Sequence, residues 1–458
     1  MENYPSKFIV VTALISSISV SIIKNLAPSN IIGGWDIVSY LLLLLPLFMM
    51  IFTKNVENRY TRWFILPVII LIFDIFYYNN YLSQNLLPFV VYVAIFILYS
   101  GSLQSIKQPF QIVIPKLGGK FNPFGIVEHL FSPLKLNSIR DNLAENSLYS
   151  RIMIAMIITI PVFGLLLALF ISSNPEFGQF IKRVFNFRNP FEFHHIFTIP
   201  MLFFVIISMF DFAFSNRKRR ELNLNKKPFD PLIIGIFLGA LNFLFITFLF
   251  FQISYLFGGE SYIAQKSGLS IASYARKGFF ELTFVLVIVF TIFLVVIYRF
   301  KGERFISILM SSLMFQSVVV GFSSLQKIYL YQKFMGATVL RYYVEWFDYF
   351  IMLTLLVGGL FLFLKRPFYQ ILNLIIVFAT LSFIFVASLN VEGMVASYNL
   401  KKFSSTPEKL DRDMLSSLSV DALPYLKGSG IKPKRKIRDC SKFYQFHLGY
   451  CLKSKLLK

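Results

Sequence analysis

Charge is scarce in this chain. Of its 458 residues only 15% are Asp, Glu, Lys or Arg, where soluble domains carry roughly 25%. With 56% hydrophobic residues and a mean hydropathy of +0.66, that shortage excludes a single water-soluble core, which could not hide so much apolar surface. Soft metal ligands are rarer still, at two Cys and four His, so a structural zinc site, which wants four ligands, is poorly supplied. The signatures of common enzymes are absent: no P-loop, dinucleotide fingerprint, His-Glu-x-x-His or Gly-x-Ser-x-Gly occurs, and no cofactor is implied. Acidic residues number 23 against 45 basic ones, a formal charge of +22. The basic residues gather at the ends of apolar runs, where they anchor helices and meet anionic lipid, so the excess does not indicate nucleic acid.

What is abundant is apolar length. A transmembrane helix needs about 17–25 mostly apolar residues. On that criterion eleven spans are expected, over 8–23, 35–53, 63–78, 86–100, 152–172, 195–214, 232–257, 279–298, 305–325, 346–364 and 368–388. The fold class is therefore all-α, a polytopic helical membrane protein of about 11 transmembrane helices. It divides into a four-span region 1–100, a loop 101–151, a seven-span core 152–388 and a tail 389–458. The first run is diluted by Ser16, Ser17, Ser19 and Ser21 and reads as a signal peptide or a retained anchor. The following Asn25-Leu26-Ala27-Pro28 makes a poor cleavage site and favours the anchor. Phe, with 55 copies, suits lipid-facing surfaces and carries no specific chemistry. Loop 101–151, punctuated by Pro109, Pro115, Gly118, Gly119 and Pro123, reads as a surface-lying or linker segment.

Orientation follows from Lys and Arg. The tip before the first run and the loops 54–62, 101–151, 215–231, 299–304 and 365–367 hold 21 of them, against 10 in the opposite loops 24–34, 79–85, 173–194, 258–278 and 326–345. The first set is expected to be cytoplasmic. Its strongest marker is Arg217-Lys218-Arg219-Arg220. The N-terminus then lies inside and the tail outside. Cys440 and Cys451, the only cysteines, both fall in that tail. Eleven residues apart, in a segment assigned to an oxidising compartment, they suggest a disulfide, with free thiols as the alternative.

Ionisable groups near span ends carry the most information, because they are costly there. Asp74 and Asp211 read as interfacial, as do His194 and His195, which diverge by about 100° on a helix. Two outer loops are denser. In the first, Arg276 and Lys277 precede Glu281 at a helix start, where a cation opposes the helix dipole unless something anionic lies nearby. In the second, Lys327, Arg341, Glu345 and Asp348 follow one another, with Arg341 and Glu345 four apart. These seven residues form either a polar binding site or ion pairs that clamp the helices, Arg276 with Glu345 or Arg341 with Glu281.

The same stretches carry a resemblance. Gln252-x-x-Tyr255-Leu256-Phe257-Gly258-Gly259, Tyr274-Ala275-Arg276-x-Gly278-Phe279-Phe280-Glu281-Leu282, Lys327-x-Tyr329-x-Tyr331 with Gly336-Ala337-Thr338-Val339-Leu340-Arg341, and Asn390-Val391-Glu392-Gly393 with Asp421-Ala422-x-Pro424 are together similar to the bacterial membrane proteins grouped as domain of unknown function four-one-seven-three. The resemblance covers about residues 150–430 and departs from the pattern at Ala337 and Ser397. It implies a bacterial membrane and a fold, and no reaction. From these observations we expect a multi-pass protein of the bacterial inner membrane, in contact with membrane lipid, that transports or handles an anionic or lipid-linked envelope compound. The alternative is a sensor or assembly partner whose tail binds an extracytoplasmic protein.

Overall fold

Runs of Leu, Ile, Val and Phe this long become helices because, away from water, each backbone N–H must find its acceptor within its own segment. The structure, a computed structural model, describes residues 65–80, 82–87, 90, 91, 148–185, 230–257, 278–299, 303–366, 368–431, 434, 440 and 448–455. Its α-helices are α1 (Ile65–Tyr77), α2 (Leu148–Ser173), α3 (Pro175–Phe185), α4 (Pro231–Phe257), α5 (Phe279–Arg299), α6 (Arg304–Met335), α7 (Val339–Phe363), α8 (Phe368–Ala387), α9 (Val391–Lys402), α10 (Arg412–Ser417), α11 (Leu423–Leu426) and α12 (Leu448–Ser454). No strand occurs among the described residues.

Five of these helices contain segments long and apolar enough to cross a membrane: Arg151–Ser173, Pro231–Ile253, Phe279–Ile297, Arg304–Met335 and Val339–Phe363. The pair Leu374–Ala387 and Val391–Lys402, bent by 57°, makes six if it counts as one broken span. The chain is thus an all-α, membrane-embedded protein. The expected spans 8–23, 35–53 and 195–214, and nearly all of 86–100, lie outside the described residues, as do Asp211, His194 and His195. Within the expected span 63–78 the helix has 13 residues, a rise of about 20 Å, against the roughly 30 Å of a bilayer core.

The chain divides into two units. One comprises residues 1–118, 336–343 and 376–458, and the other residues 119–335 and 344–375. In the second unit α4 and α5 both pack on α6, and α2 packs on α4 and α5. The ring of Phe170 on α2 stacks on Phe248 of α4 with centroids 3.9 Å apart, and Phe245 and Phe177 meet it edge-on. Small residues let helices approach closely, as is usual where lipid offers no hydrophobic drive. A Cβ on Gly358 of α7 would stand 2.9 Å from the Phe293 ring of α5. Between α4 and α6, the Asn242 amide donates to the Leu309 carbonyl at 3.0 Å and accepts from Gln316 at 2.8 Å.

The first unit is built on capped short helices. Asn390 caps α9 by accepting from Gly393 N at 2.8 Å, and its amide donates to Asp421 O. Val395, Ala396, Leu415, Leu418, Ala422 and Leu426 close an apolar core beneath. Asp421, fully buried, accepts from Lys453 Nζ at 2.8 Å and from Asn79 N at 2.7 Å. Lys453 also lies over the rings of Tyr77 and Tyr78. Cys440 and Cys451 form a disulfide with Cα atoms 5.8 Å apart. Asp74, read from its neighbours as facing water, is buried and accepts from Ser388 Oγ at 2.7 Å. The adjacent tyrosines and asparagines that suggested an interface are themselves partners in this packing: Tyr78 donates to Ser388 O and Asn79 N to Asp421.

Candidate functional site

The second unit collects polar side chains at one end of its helices. α6 runs unbroken to Met335, so residues 326–335, expected as the start of a loop, are helical. Lys327 therefore stands on a helix, only 1% exposed. Its Nζ donates to the carbonyl of Ser173, the last residue of α2. Helix-terminal carbonyls have no partner within their own helix, so the ammonium supplies a donor that α2 lacks. The stem of Lys327 crosses Gly278, where a Cβ would lie 2.9 Å from Lys327 Cδ and Cε. Gly278 is what lets this side chain through.

Glu281, in the first turn of α5, accepts from Ser172 Oγ at 3.1 Å and acts electrostatically on Lys327. Next to Ser173, Asn174 caps α3 through Oδ1, which accepts from Glu176 N and Phe177 N at 3.0 and 3.1 Å. Its amide donates to Gln252 Oε1 of α4 at 2.8 Å. Beyond lies Asp348 of α7, 0% exposed, whose Oδ2 accepts from Ser324 Oγ at 2.7 Å and Thr283 Oγ1 at 3.1 Å. One turn before it, Glu345 accepts from Gln332 Nε2 at 3.3 Å.

Of the seven residues that the sequence singled out, Glu281, Lys327, Glu345 and Asp348 share this end of the second unit. Arg276 and Lys277 lie outside the described residues. Arg341 belongs to the first unit, where Nη1 donates to Thr338 Oγ1 at 3.1 Å. The residues that sequence reasoning passed over are Ser173 and Asn174, at the start of the expected loop 173–194, and Thr283 and Ser324, hydroxyls set in apolar runs. Gln252 and Gly278 stood within the recognised motifs without a role. No group of three or more His, Cys, Asp or Glu able to hold a metal occurs among the described residues.

The other end of the same helices is anchored differently. Arg151 grips Asp230 through two bonds, Nε to Oδ2 at 2.6 Å and Nη2 to Oδ1 at 2.7 Å, and Asp230 also caps α4 by accepting from Leu232 N. Burial would raise the Asp230 carboxyl, but the hydrogen bonds from Arg151 and the α4 amides outweigh it and hold the group below its ordinary range.

The family described as Domain of unknown function (DUF4153) matches residues 10–428. The match takes in the N-terminal region, which the resemblance had left out. No curated protein and no solved structure matches the chain.

Proposed function

The chain belongs to the DUF4153 family, and from that premise we propose a multi-pass bacterial inner-membrane protein that transports or handles an anionic or lipid-linked envelope compound. Eleven spans, an internal N-terminus and an external tail complete this reading. The observation that carries it is Lys327: an ammonium in an apolar span, fully enclosed by protein, with Gly278 kept bare beneath its stem. Ionisable groups inside spans are expensive and mark pathways and binding sites more often than they stabilise. A lysine here gives an anion a point charge, and the hydroxyls and amides of Ser173, Asn174 and Gln252 give it hydrogen-bond partners. Glu281 balances the charge when the anion is absent.

The test uses Lys327→Met, which keeps the stem and removes the charge, beside Lys327→Arg. Protein is purified in native lipid and co-purifying compounds are measured by mass spectrometry. An anionic species held by the wild type and by Lys327→Arg, and lost from Lys327→Met at equal protein yield, supports the reading. If Lys327→Met fails to accumulate, the lysine is a structural clamp.

A second reading, a sensor or assembly partner, draws on the folded first unit with its exposed cations Lys401, Lys409, Arg412 and Lys427. Reversing those four charges leaves the buried contacts intact. On this reading it should abolish function, and full activity of the reversed protein excludes it.

A further inference from the structure

The Asp348 cluster contains more hydrogen-bonding oxygens than hydroxyl protons. Four of its oxygens, Phe279 O, Thr283 Oγ1, Ser324 Oγ and Asp348 Oδ2, are linked by five contacts. Thr283 Oγ1 lies 3.0 Å from Phe279 O, 3.3 Å from Ser324 Oγ and 3.1 Å from Asp348 Oδ2. Ser324 Oγ lies 3.1 Å from Phe279 O and 2.7 Å from Asp348 Oδ2. Two hydroxyl protons must serve the Phe279 carbonyl, each other and the carboxyl. The remaining carboxyl oxygen, Asp348 Oδ1, is buried with no hydrogen-bond partner among the described residues.

We propose that Asp348 is a proton-binding site of the membrane domain, a carboxyl that takes up and releases one proton through the Ser324 and Thr283 hydroxyls. Two observations of geometry carry it. The first is the pair of hydroxyls, Ser324 Oγ and Thr283 Oγ1, at 2.7 and 3.1 Å from Oδ2, close enough to pass a proton to and from it. The second is the bare Oδ1. An ionised carboxylate would leave half its charge there with no donor, and a group so placed neutralises. A neutral acid leaves only a carbonyl oxygen, at far lower cost.

The proton count balances in both states. With Asp348 ionised, Ser324 and Thr283 both donate to Oδ2. When a proton arrives on Oδ2, that O–H donates to Ser324 Oγ. The Ser324 and Thr283 hydroxyls then turn to the Phe279 carbonyl. One proton is gained, two rotors turn and no helix need move. The charged groups around the cluster are Glu345 one turn earlier on α7, Glu281 near the start of α5, held by Ser172, and Lys327 one turn beyond Ser324 on α6, directed to the Ser173 carbonyl. Among the described residues, the hydrogen-bond donors to Asp348 are the two hydroxyls and no cation.

Only the use of this proton, as the ion that drives movement of the anionic compound, rests on the transport reading. The site is tested by infrared difference spectra of purified protein in lipid, wild type against Asp348→Asn, across the pH range in which both stay folded. The expected result is a C=O band of a protonated carboxylic acid in the wild type that Asp348→Asn removes. Ser324→Ala and Thr283→Val retain the carboxyl and each should shift that band and its titration midpoint. Absence of the band from the difference spectrum overturns the proposal. If Asp348→Asn does not fold, a carboxylic band that neither hydroxyl variant shifts overturns it equally. Lys327→Met separates the two readings. A persistent Asp348 band with unchanged compound binding sinks the transport reading and leaves the proton site standing. Loss of the compound in that variant, with no carboxylic band in the wild type, does the reverse.

Discussion

Asn399 closes the break between α6 and α7 with a single side chain. Its Oδ1 accepts from Ala337 N and its amide donates to Ala337 O, both at 2.9 Å, and that amide also reaches Val395 O. The chain turns beside it at Gly336, whose φ of 85° and contact with Asn399 leave no room for a Cβ. Asn399→Ala strands two buried backbone groups and should cost about 1–3 kcal/mol. Gly336→Ala adds left-handed strain of about the same size. Both should appear as a lowered thermal midpoint in detergent, and a midpoint unchanged in either would remove Asn399 from this role. At this scale the sequence was informative about residue type and weak about placement. Lys327 was visible as a cation near a span end. The polar residues around it, Gln326, Gln332 and Lys333, lower the local hydropathy and mimic a loop, yet the helix continues, with Lys327 held at the Ser173 carbonyl of α2 and Gln332 donating to Glu345 of α7. Thr283 and Ser324 gave no signal, since a lone hydroxyl in an apolar helix usually bonds back to its own backbone.

The helices that could be read best are those whose apolar runs lack punctuation. α2, α4 and α5 fall within a few residues of the expected 152–172, 232–257 and 279–298. α3 was missed: its apolar residues recur at the helical period among Glu176, Lys182 and Arg183, which reads as a loop to any criterion built on hydropathy alone. The resemblance behaved similarly. It pointed to an uncharacterised domain-of-unknown-function family, but to four-one-seven-three where the match is DUF4153, because short motifs at helix ends are less distinctive than the full length of the chain. The join between α2 and α4 offers a pH test. The Asp230 carboxyl is held below its ordinary value, so the stability it contributes is complete above the unfolded carboxyl range near pH 3.9 and is lost as pH falls through the lower folded value. Thermal midpoints measured in acid should fall in the wild type, and Arg151→Ala should flatten that fall. Parallel curves for the two proteins would show that the pair contributes nothing.

Across the whole chain the first unit joins residues far apart in sequence. The Cys440–Cys451 disulfide closes a loop of 11 residues, and removing it should destabilise α12 by about 2–4 kcal/mol. Limited proteolysis of Cys440→Ser should then cut the tail first, and an unchanged digestion pattern would count against that role. What α12 holds in place lies much earlier in the chain. Lys453 Nζ donates to Tyr77 O at 3.1 Å across a separation of 376 residues, and the backbone at Gly449 lies directly against that same carbonyl. At ribosomal rates of about 5–20 residues per second, the end of α1 waits roughly 20–75 s for its partner to be made. For most of that interval Asp74, Tyr78 and Asn79 have neither Ser388 nor Asp421 to bond, since those lie 310 and 342 residues downstream of Tyr78 and Asn79 respectively. Biogenesis of this protein therefore has a long window in which an insertion factor or chaperone must shield α1 and a quality-control protease can sample it. A fusion placed just after α12 that hinders its docking would lengthen that window and lower yield from a point far downstream of α1 in the chain.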